Sequence, residues 1–195
     1  MPRLMIVAGS TRPGRAGLPI TRWFGERARA HGGFDVTVVD LAEIALPLLD
    51  EPDIPRIRRY TRPHTKEWSA TVEAADAVVF VTPEYNFGYP AALKNAIDYL
   101  HQEWHHKPVG FVSYGGVAAG TRAVQQLKQV VTTLRMLPVF EGVTIAWHPR
   151  FIHDGRFQGT EEMERAAAAM LDELLRVEAA LRPLRANSRP DEPGA

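Results

Sequence analysis

The stretch AVVFVTPEYNFGYPAALKNAIDYL, residues 77–100, joins a continuous apolar run to a helical pattern through a loop of aromatic residues, glycine and proline. The run Ala77–Thr82 is rich in β-branched residues and does not alternate with polar ones, which is typical of a strand buried on both faces. The following pattern, Pro90–His105, predicts a helix with proline at its first position. A buried strand followed directly by a helix is the repeating unit of a parallel α/β sheet.

The alternation of strand and helix continues in both directions from this unit. Further strands are predicted at Leu4–Ala8, Val36–Val39, Val109–Tyr114 and Val139–Ala146, and further helices at Leu18–His31, Lys66–Ala75, Thr121–Met136 and Thr160–Leu181. Right-handed crossovers then place helices on both faces of one sheet. The flavodoxin-like strand order 2-1-3-4-5 and the Rossmann order both suit such a chain, and five strands favour the first. We therefore predict a three-layer flavodoxin-like α/β fold with a five-stranded parallel sheet.

Two segments depart from this alternation. Leu46–Thr65 carries four prolines and several charges, which predicts an excursion at the edge of the sheet. The polar, proline-containing end Arg185–Ala195 is expected to be disordered. Residues 1–184 are then a single domain, and their number is suited to one hydrophobic core.

The composition excludes several classes of function. The 195 residues include no cysteine, and 23 basic and 23 acidic side chains give a formal net charge of zero. Disulfides, thiolate nucleophiles and cysteine-ligated metals are therefore absent. The charge balance favours neither nucleic acid nor an anionic membrane as a partner, and no apolar run approaches the ~20 residues of a membrane span. We expect a cytoplasmic protein that builds any anion site locally.

In the order 2-1-3-4-5, ligands bind at the carboxyl ends of the strands, on the loops after strands 1, 3 and 4. The first of these loops, Gly9–Gly17, contains small residues, two hydroxyls and two arginines before a helix N-terminus, and this combination favours an anion. It matches neither G-x-x-x-x-G-K-[ST] nor G-x-G-x-x-G, so it suits a monophosphate better than the pyrophosphate of a dinucleotide. A turn with solvated arginines is the alternative interpretation.

The other two loops have the composition of a site for a flat ring. Pro83–Pro90 places aromatic side chains beside glycine and proline, where they can cover one side of a planar ligand. Ser113–Gly120 has almost no side-chain bulk, so a flat ligand can lie against its main chain. Each loop is also compatible with an ordinary strand–helix connection.

Four stretches within the first 125 residues together resemble the NADPH-dependent FMN reductase family, a branch of the flavodoxin-like fold that includes FMN, quinone and azo-dye reductases. They are GSTRPGR at Gly9–Arg15, LPLLDEP at Leu46–Pro52, TPEYNFGYPAALKNAIDYL at Thr82–Leu100 and KPVGFVSYGGVAAGTRA at Lys107–Ala123. The resemblance implies an enzyme that passes hydride from NADPH or NADH through bound FMN to a small acceptor, namely a quinone, a free flavin or an azo compound. It also implies a homodimer or homotetramer.

By this resemblance, the three loops hold the FMN, and the flavin rather than a side chain carries the chemistry. Ser10 and Arg12, with Arg15 and Gly17 nearby, would bind the phosphate; Pro83, Glu84, Tyr85, Asn86 and Phe87 would flank the isoalloxazine; Tyr114, Gly115 and Gly116 would lie beside its pyrimidine and ribityl side. The chain departs from many relatives, which carry serine or threonine a few residues past the first-loop arginine. Here Ala16-Gly17-Leu18 follows Arg15, so Arg15 or backbone groups must substitute.

Other functions are open on the sequence alone. A flavodoxin-like electron carrier that binds FMN without turnover of its own is the main alternative, although such carriers are usually strongly acidic and this chain is neutral. A hydrolase is disfavoured because no G-x-S-x-G motif is present. Asp98, His101 and His105 fall at i, i+3 and i+7 of a predicted helix, where they form either a metal-binding trio or a polar helix end.

Three further groups have two interpretations each. Trp23, Trp68 and Trp104 are expected to pack in the core or at a subunit interface rather than to stack on a ligand. The apolar stripe of the helix after strand 3 suits either packing on the sheet or an interface. A basic run in the edge excursion is either a solvated loop or a guide for the 2′-phosphate of NADPH. The stripe is Leu93, Ala96, Ile97 and Leu100, and the run is Arg56, Arg58, Arg59 and Arg62.

Overall fold

A five-stranded sheet forms the centre of the protein, and the computed structural model describes residues 1–186 of it. The strands are β1 Arg3–Ala8, β2 Asp35–Asp40, β3 Ala77–Pro83, β4 Pro108–Gly115 and β5 Leu137–Ala146. Their order is β2-β1-β3-β4-β5 and every pair is parallel. The predicted flavodoxin-like fold is therefore confirmed. A small antiparallel pair follows the sheet, β6 Ile152–His153 and β7 Arg156–Phe157.

Helices cover both faces of the sheet. They are α1 Gly17–His31, α2 Leu41–Ile44, α3 Pro63–Glu73, α4 Ala91–Asp98, α5 Thr121–Thr133 and α6 Glu161–Ala186. Short 3₁₀ turns lie at Pro55–Ile57, Gln102–Trp104 and His148–Phe151. One apolar core lies between the sheet and helices α1 and α6, and the other between the sheet and helices α3, α4 and α5. The result is the predicted three-layer arrangement.

Alternation along the central strands explains why both faces are covered. In β1, Leu4 and Ile6 belong to the core under α1 and α6, whereas Met5 and Val7 belong to the opposite core. All four side chains are at most 2% exposed, and burying each one contributes about 1.5–3 kcal/mol. Because both faces are apolar, the sheet is stable only with a helical layer on each side.

The predicted helix Pro90–His105 is wrong in its second half. Helix α4 ends at Asp98 because the chain folds back to bury Trp104, whose indole N–H donates to the Ile97 carbonyl oxygen at 3.1 Å. The Trp68 indole likewise donates to the Ala96 carbonyl oxygen at 2.8 Å. Two carbonyls of the last turn are thus occupied by buried side chains.

The early end of α4 also separates the candidate metal trio. Asp98 forms an ion pair with Lys94, while His101 and His105 lie beyond the helix and no longer share a helical face with Asp98. Across residues 1–186, no group of three histidine, cysteine or acidic side chains is arranged to hold a metal ion.

The burial of the tryptophans and of the apolar stripe shows which of their two interpretations is correct. Trp23, Trp68 and Trp104 are buried in the two cores, and the apolar stripe of α4 is buried against the sheet. Neither group is therefore available on the surface of the single chain. No helix in the described part of the chain combines the length and the apolar character that crossing a bilayer requires.

The predicted excursion is an ordered loop between α2 and α3. Glu51 accepts hydrogen bonds from the main-chain N–H groups of Thr61 and Arg62, each at 2.9 Å. Burial raises the pKa of Glu51, but these bonds outweigh burial and lower it to about 2. Asp50 accepts a hydrogen bond from the Tyr99 hydroxyl at 3.0 Å and lies 2.8 Å from the His64 ring nitrogen. The loop is thereby fastened to the body of the domain.

Helix α6 extends further than the sequence predicts. Arg185 and Ala186, assigned to a disordered end, lie in the helix, and the Arg185 guanidinium donates to the His106 carbonyl oxygen at 3.0 Å. It also forms an ion pair with Glu178, a fully buried carboxylate. This buried partner explains why the helix continues past Leu181. The rest of that predicted segment lies outside the described residues.

Lys107, at the amino end of β4, is a buried cation. Its side chain is 4% exposed and its ammonium group donates to the Val72 carbonyl oxygen. Burial lowers the pKa of Lys107 from 10.5 to about 8. Between these values the unfolded chain binds more protons than the folded chain, so stability rises with pH.

We therefore expect the wild type to gain about 2 kcal/mol of unfolding free energy relative to Lys107→Met between about pH 7.5 and pH 9.5. Urea unfolding of both proteins across this range, below the titration of tyrosine, measures the difference. The matched control, Lys66→Met, removes an exposed lysine of α3. Parallel stability profiles for the wild type and Lys107→Met would contradict the prediction.

Candidate functional site

The loops after β1, β3 and β4 meet at one edge of the sheet. Strand pairing places Ala8 beside Val81 and Pro83 beside Tyr114, so that the three strands end side by side. The Gly9 N–H continues the pairing by donating to the Val81 carbonyl oxygen at 2.9 Å. Since parallel strands all point their carboxyl ends to this edge, the loops from residues far apart in sequence converge on one place.

The loop after β1 contacts the loop after β3 through two hydroxyl groups. The Ser10 hydroxyl lies 2.7 Å from the Tyr85 hydroxyl, and Ser10 is 1% exposed. The Arg12 N–H also points to the Ser10 hydroxyl oxygen, at 3.4 Å, and the Arg15 N–H donates to the Arg12 carbonyl oxygen at 3.1 Å. These contacts form a tight turn at the entrance to α1.

The two arginines of this turn have different environments. The Arg15 guanidinium pairs with Asp40, the last residue of β2, which also caps α2 by accepting from the Ala42 N–H at 3.0 Å. The Arg15 Nε atom is buried and has no hydrogen-bond partner within residues 1–186. Arg12 is exposed, and its side chain forms no ion pair with the described part of the chain. Asp40 therefore fixes Arg15, while Arg12 remains available to an anion.

Helix α1 begins without a polar cap. Its N-cap residue, Ala16, makes no side-chain hydrogen bond, and the first turn contains no acidic residue. The N–H groups of the first turn and the helix dipole together favour a negative charge at this position.

Tyr114 lies directly behind the start of α1. Its ring is 3% exposed, and its hydroxyl has no hydrogen-bond partner among the residues that the structure describes. Burial, and then the nearby Tyr85, raise the pKa of Tyr114, so the hydroxyl is protonated at neutral pH. A Cβ atom at Gly17 would lie 2.5 Å from this oxygen, so only glycine permits the contact.

The loop after β3 contains a tight two-residue turn. Tyr85 and Gly88 exchange backbone hydrogen bonds of 2.8 and 3.0 Å around Asn86 and Phe87. The φ angles of Asn86 and Phe87 are 50° and 73°, the left-handed pair of a type I′ turn. Tyr85 is 40% and Phe87 60% exposed. The turn thus presents two aromatic rings at the edge of the sheet.

The third loop brings the main chain close to itself at the end of β4. Gly120 has a φ of 79°, and a Cβ atom there would lie 3.0 Å from the backbone nitrogen and oxygen of Tyr114. Gly115 and Gly116 stand between these residues without side-chain bulk. No side chain of Gly115 or Gly116 therefore covers the main chain of this loop.

A fourth loop, which the sequence did not indicate, completes the edge. After β5, Trp147 donates its N–H to the Gly116 carbonyl oxygen at 3.3 Å, and His148 Nδ1 lies 3.2 Å from the Gly115 carbonyl oxygen. The Trp147 side chain is 48% exposed. No motif marks these residues, because their position depends on how β5 ends beside β4.

The structure thus places eleven of the twelve candidate residues on β3, on β4 or on the loops after β1, β3 and β4, and the twelfth, Gly17, at the first position of α1. The twelve are Ser10, Arg12, Arg15, Gly17, Pro83, Glu84, Tyr85, Asn86, Phe87, Tyr114, Gly115 and Gly116. Glu84 differs from the rest because its carboxylate pairs with Arg122 of α5. The sequence stretch that ends at Ala123 contains Arg122, but nothing in it indicates this partner.

The basic run of the excursion is largely neutralised. Arg58 pairs with Glu73 and Glu103, Arg59 with Asp53, and Arg62 with Asp50. These pairs favour the interpretation of the run as a structural loop over that of an anion guide.

Comparisons with known proteins agree with this architecture. The model of the NADPH-dependent FMN reductase family matches residues 2–148. An NAD(P)H-dependent FMN reductase of Schizosaccharomyces pombe is 45% identical over 137 residues, which are 69% of this chain and 68% of that protein. An FMN-dependent NADPH-azoreductase of Staphylococcus haemolyticus is 30% identical over 135 residues, 67% and 69% of the two chains.

Solved structures show the same fold at lower identity. The flavoenzyme NAD(P)H:(acceptor) oxidoreductase FerB from Paracoccus denitrificans superposes with a TM-score of 0.73 at 20% identity, covering 92% of this chain and 98% of that chain.

The close approach of Gly17 to Tyr114 gives a testable consequence. We expect Gly17→Ala to lower the unfolding free energy by about 1–3 kcal/mol, because a buried tyrosine ring cannot move away from the added methyl group. In a Tyr114→Phe background the same substitution should cost much less, since the oxygen is gone. Urea unfolding of the four proteins of this cycle gives both values. An equal loss in the two backgrounds would rule out the contact as the cause.

Proposed function

Because this chain belongs to the NADPH-dependent FMN reductase family, it is an oxidoreductase that uses FMN and NAD(P)H, and we propose that it passes hydride to a small flat acceptor. The acceptors we propose are a quinone, a free flavin or an azo compound. The main support is the convergence of three loops, one built for an anion and two for a flat ring, on a single sheet edge.

The loop after β1 fits the phosphate of FMN. A phosphate monoester binds in proteins to groups such as an uncapped helix N-terminus, a buried hydroxyl and a guanidinium. Here these are the start of α1, Ser10, and Arg12, which has no ion-pair partner within residues 1–186. Arg15 offers a buried Nε atom that lacks a partner within residues 1–186. These groups would replace the serine or threonine that many relatives carry after the arginine.

The loops after β3 and β4 fit the isoalloxazine. Pro83–Phe87 would flank the ring, and Tyr114, Gly115 and Gly116 would lie beside its pyrimidine and ribityl side. The protonated Tyr114 hydroxyl, which no described residue satisfies, offers a donor beneath the site. Main-chain N–H groups near Asn86 and Gly115–Gly116 would donate to polar atoms of the ring and stabilise negative charge there.

The residues of the chain bind and orient FMN and its substrates, and no side chain is assigned as a general acid or base. When bound, FMN supplies the chemistry by accepting hydride from NAD(P)H and passing the electrons on. Tyr85, Phe87 and Trp147 keep apolar ring surface exposed at the open side of the edge. We propose that this surface receives the nicotinamide and then the acceptor, which explains why many flat molecules would be accepted.

A homodimer is our proposal for the assembly, and the excursion is our proposal for its interface. The loop is fastened by Asp50 and Glu51, yet four apolar side chains on it face solvent. They are Leu48, Leu49, Ile54 and Ile57, which are 83%, 41%, 62% and 40% exposed. Apolar side chains clustered on an ordered surface are typical of a subunit interface.

The cytoplasm is the location we propose. A chain without cysteine gains nothing from an oxidising compartment, and nicotinamide cofactors are the proposed electron source.

The proposed function predicts that the purified protein reconstituted with FMN oxidises NADPH in the presence of 1,4-naphthoquinone, free FMN or an azo dye. Anaerobic addition of NADPH should bleach the flavin absorbance, and each acceptor that is a substrate should restore it. A protein that takes up no FMN would disprove the proposal. Bleaching without multiple turnovers for any acceptor would instead favour an electron carrier.

The assignment of Arg12 to the FMN phosphate is tested by comparing the binding of FMN with that of riboflavin. Arg12→Met should raise the FMN dissociation constant about tenfold, because a charge-assisted contact is lost. The dissociation constant of riboflavin, which has no phosphate, should stay the same.

If the excursion forms the dimer interface, charged substitutions in it should halve the molecular mass measured in solution. Wild-type protein should elute as a dimer in size exclusion with light scattering, and a variant with both Leu48→Asp and Ile54→Asp should elute as a monomer, since burying two carboxylates is costly. Leu184→Asp, at a half-exposed position of α6, is the matched control and should stay dimeric. A wild type that is monomeric at micromolar concentration would contradict the assembly.

A further inference from the structure

The turn at Asn86 and Phe87 holds a bulky side chain in an unfavourable backbone conformation. The second central residue of a type I′ turn is usually glycine, because a side chain at positive φ is strained. Here that residue is Phe87, with a φ of 73°. Such strain costs about 1–3 kcal/mol and persists only where surrounding contacts enforce it.

The enforcing contacts come from helix α5. The Arg122 guanidinium carbon lies 3.8 Å from the centre of the Phe87 ring, a close cation–π contact. Gln126, one turn further along α5, donates its side-chain amide to the Phe87 carbonyl oxygen at 3.2 Å. Both the ring and the backbone of Phe87 are therefore held from the same helix.

Arg122 is itself fixed by Glu84. Its Nε donates to one carboxylate oxygen of Glu84 at 2.5 Å, a second guanidinium nitrogen contacts the same oxygen, and its main-chain N–H donates to the other oxygen at 3.3 Å. The Glu84 side chain is 7% exposed and that of Arg122 is 44% exposed. Because the Glu84 carboxylate beneath it is largely buried, the Arg122 guanidinium is held in one orientation. In this orientation it lies over the Phe87 ring.

This arrangement keeps Phe87 rigid and exposed at once. The ring is 60% exposed although Arg122 covers part of it, and it stands two residues from Tyr85, whose hydroxyl reaches Ser10. An exposed phenylalanine without such contacts would sample several rotamers and lose entropy when a ligand stacked on it. A preoriented ring avoids that cost.

We propose that Arg122 is a positioning residue that holds Phe87 as a fixed wall for flat aromatic acceptors. This rests on the proposed function of the edge as a reductase site. Arg122 acts through Phe87 and touches neither the cofactor nor the acceptor. The chemical class selected is an extended planar ring, since a fixed aromatic wall favours stacking.

The test uses the FMN-loaded protein and the variants Arg122→Met, Arg122→Lys, Phe87→Leu and the double variant Arg122→Met with Phe87→Leu. With NADPH saturating, KM for 1,4-naphthoquinone should rise about fivefold to tenfold in Arg122→Met and Phe87→Leu, while kcat of Arg122→Met changes less than twofold. The double variant should be no worse than either single variant. Arg122→Lys should resemble Arg122→Met, because an ammonium group cannot both stack on the ring and make the two guanidinium contacts with Glu84.

Two controls separate positioning from general damage. Ferricyanide, which accepts electrons without stacking, should be reduced at the wild-type rate by Arg122→Met and Arg122→Lys. Arg165→Met removes an exposed arginine of α6 that is paired with Glu161, and should leave every parameter unchanged.

The affinity for naphthoquinone can also be measured without turnover. Titration of the oxidised, FMN-loaded protein with 1,4-naphthoquinone in the absence of NADPH should show the same fivefold to tenfold weakening in Arg122→Met and Phe87→Leu, with the FMN dissociation constant unchanged in Arg122→Met. Equal naphthoquinone affinity in wild type and Phe87→Leu would overturn the proposal, as would additive losses in the double variant or parallel losses for ferricyanide in the Arg122 variants. Wild-type protein that binds naphthoquinone but never oxidises NADPH would refute the proposed function and leave the wall supported.

Discussion

The pairing of β1 with β3 is the constraint on which the rest of the structure depends. These strands are separated by the whole segment between Ala8 and Ala77, yet they lie side by side at the centre of the sheet. Their pairing sends β2 to one side and β4 to the other, so the strand order reverses between β1 and β3. The gap that this reversal leaves between the following loops is where ligands bind in open parallel sheets. The Ser10–Tyr85 contact spans this point.

The same constraint explains why residues near the strand ends have strained backbone conformations. A sheet buried on both faces fixes where each strand ends, so the loops must turn within a few residues. Asn86, Phe87 and Ala119 all adopt positive φ angles close to those ends. Glycine would adopt these angles at no steric cost, and Phe87 instead keeps its angle through contacts with α5. Strain of this kind is typical of binding sites, because it fixes groups that would otherwise move.

Sequence patterns predicted the parts of this protein that depend on local chemistry. Continuous apolar runs such as Ala77–Thr82 indicated strands buried on both faces, and glycine-rich or aromatic loops indicated the edge where the candidate residues lie. The end of α4 was missed because it depends on Trp104 folding back to Ile97, a contact that no periodicity records. Arg122 and Trp147 were missed for the same reason, since their partners Glu84 and Gly116 come from the loops after β3 and β4.

Two buried carboxylates near the amino ends of the strands have several partners, whereas two buried donors at the carboxyl edge have none in the described chain. Near the amino ends, the fully buried Glu178 pairs with two arginines, and the buried Glu103 accepts from Ser69 at 2.6 Å and from Tyr60 at 3.1 Å. At the carboxyl edge, the Tyr114 hydroxyl and the Arg15 Nε atom are buried without partners in the described chain. A buried donor without a partner costs about 1–3 kcal/mol. Under the proposed function, a ligand that accepts from both donors recovers that free energy on binding.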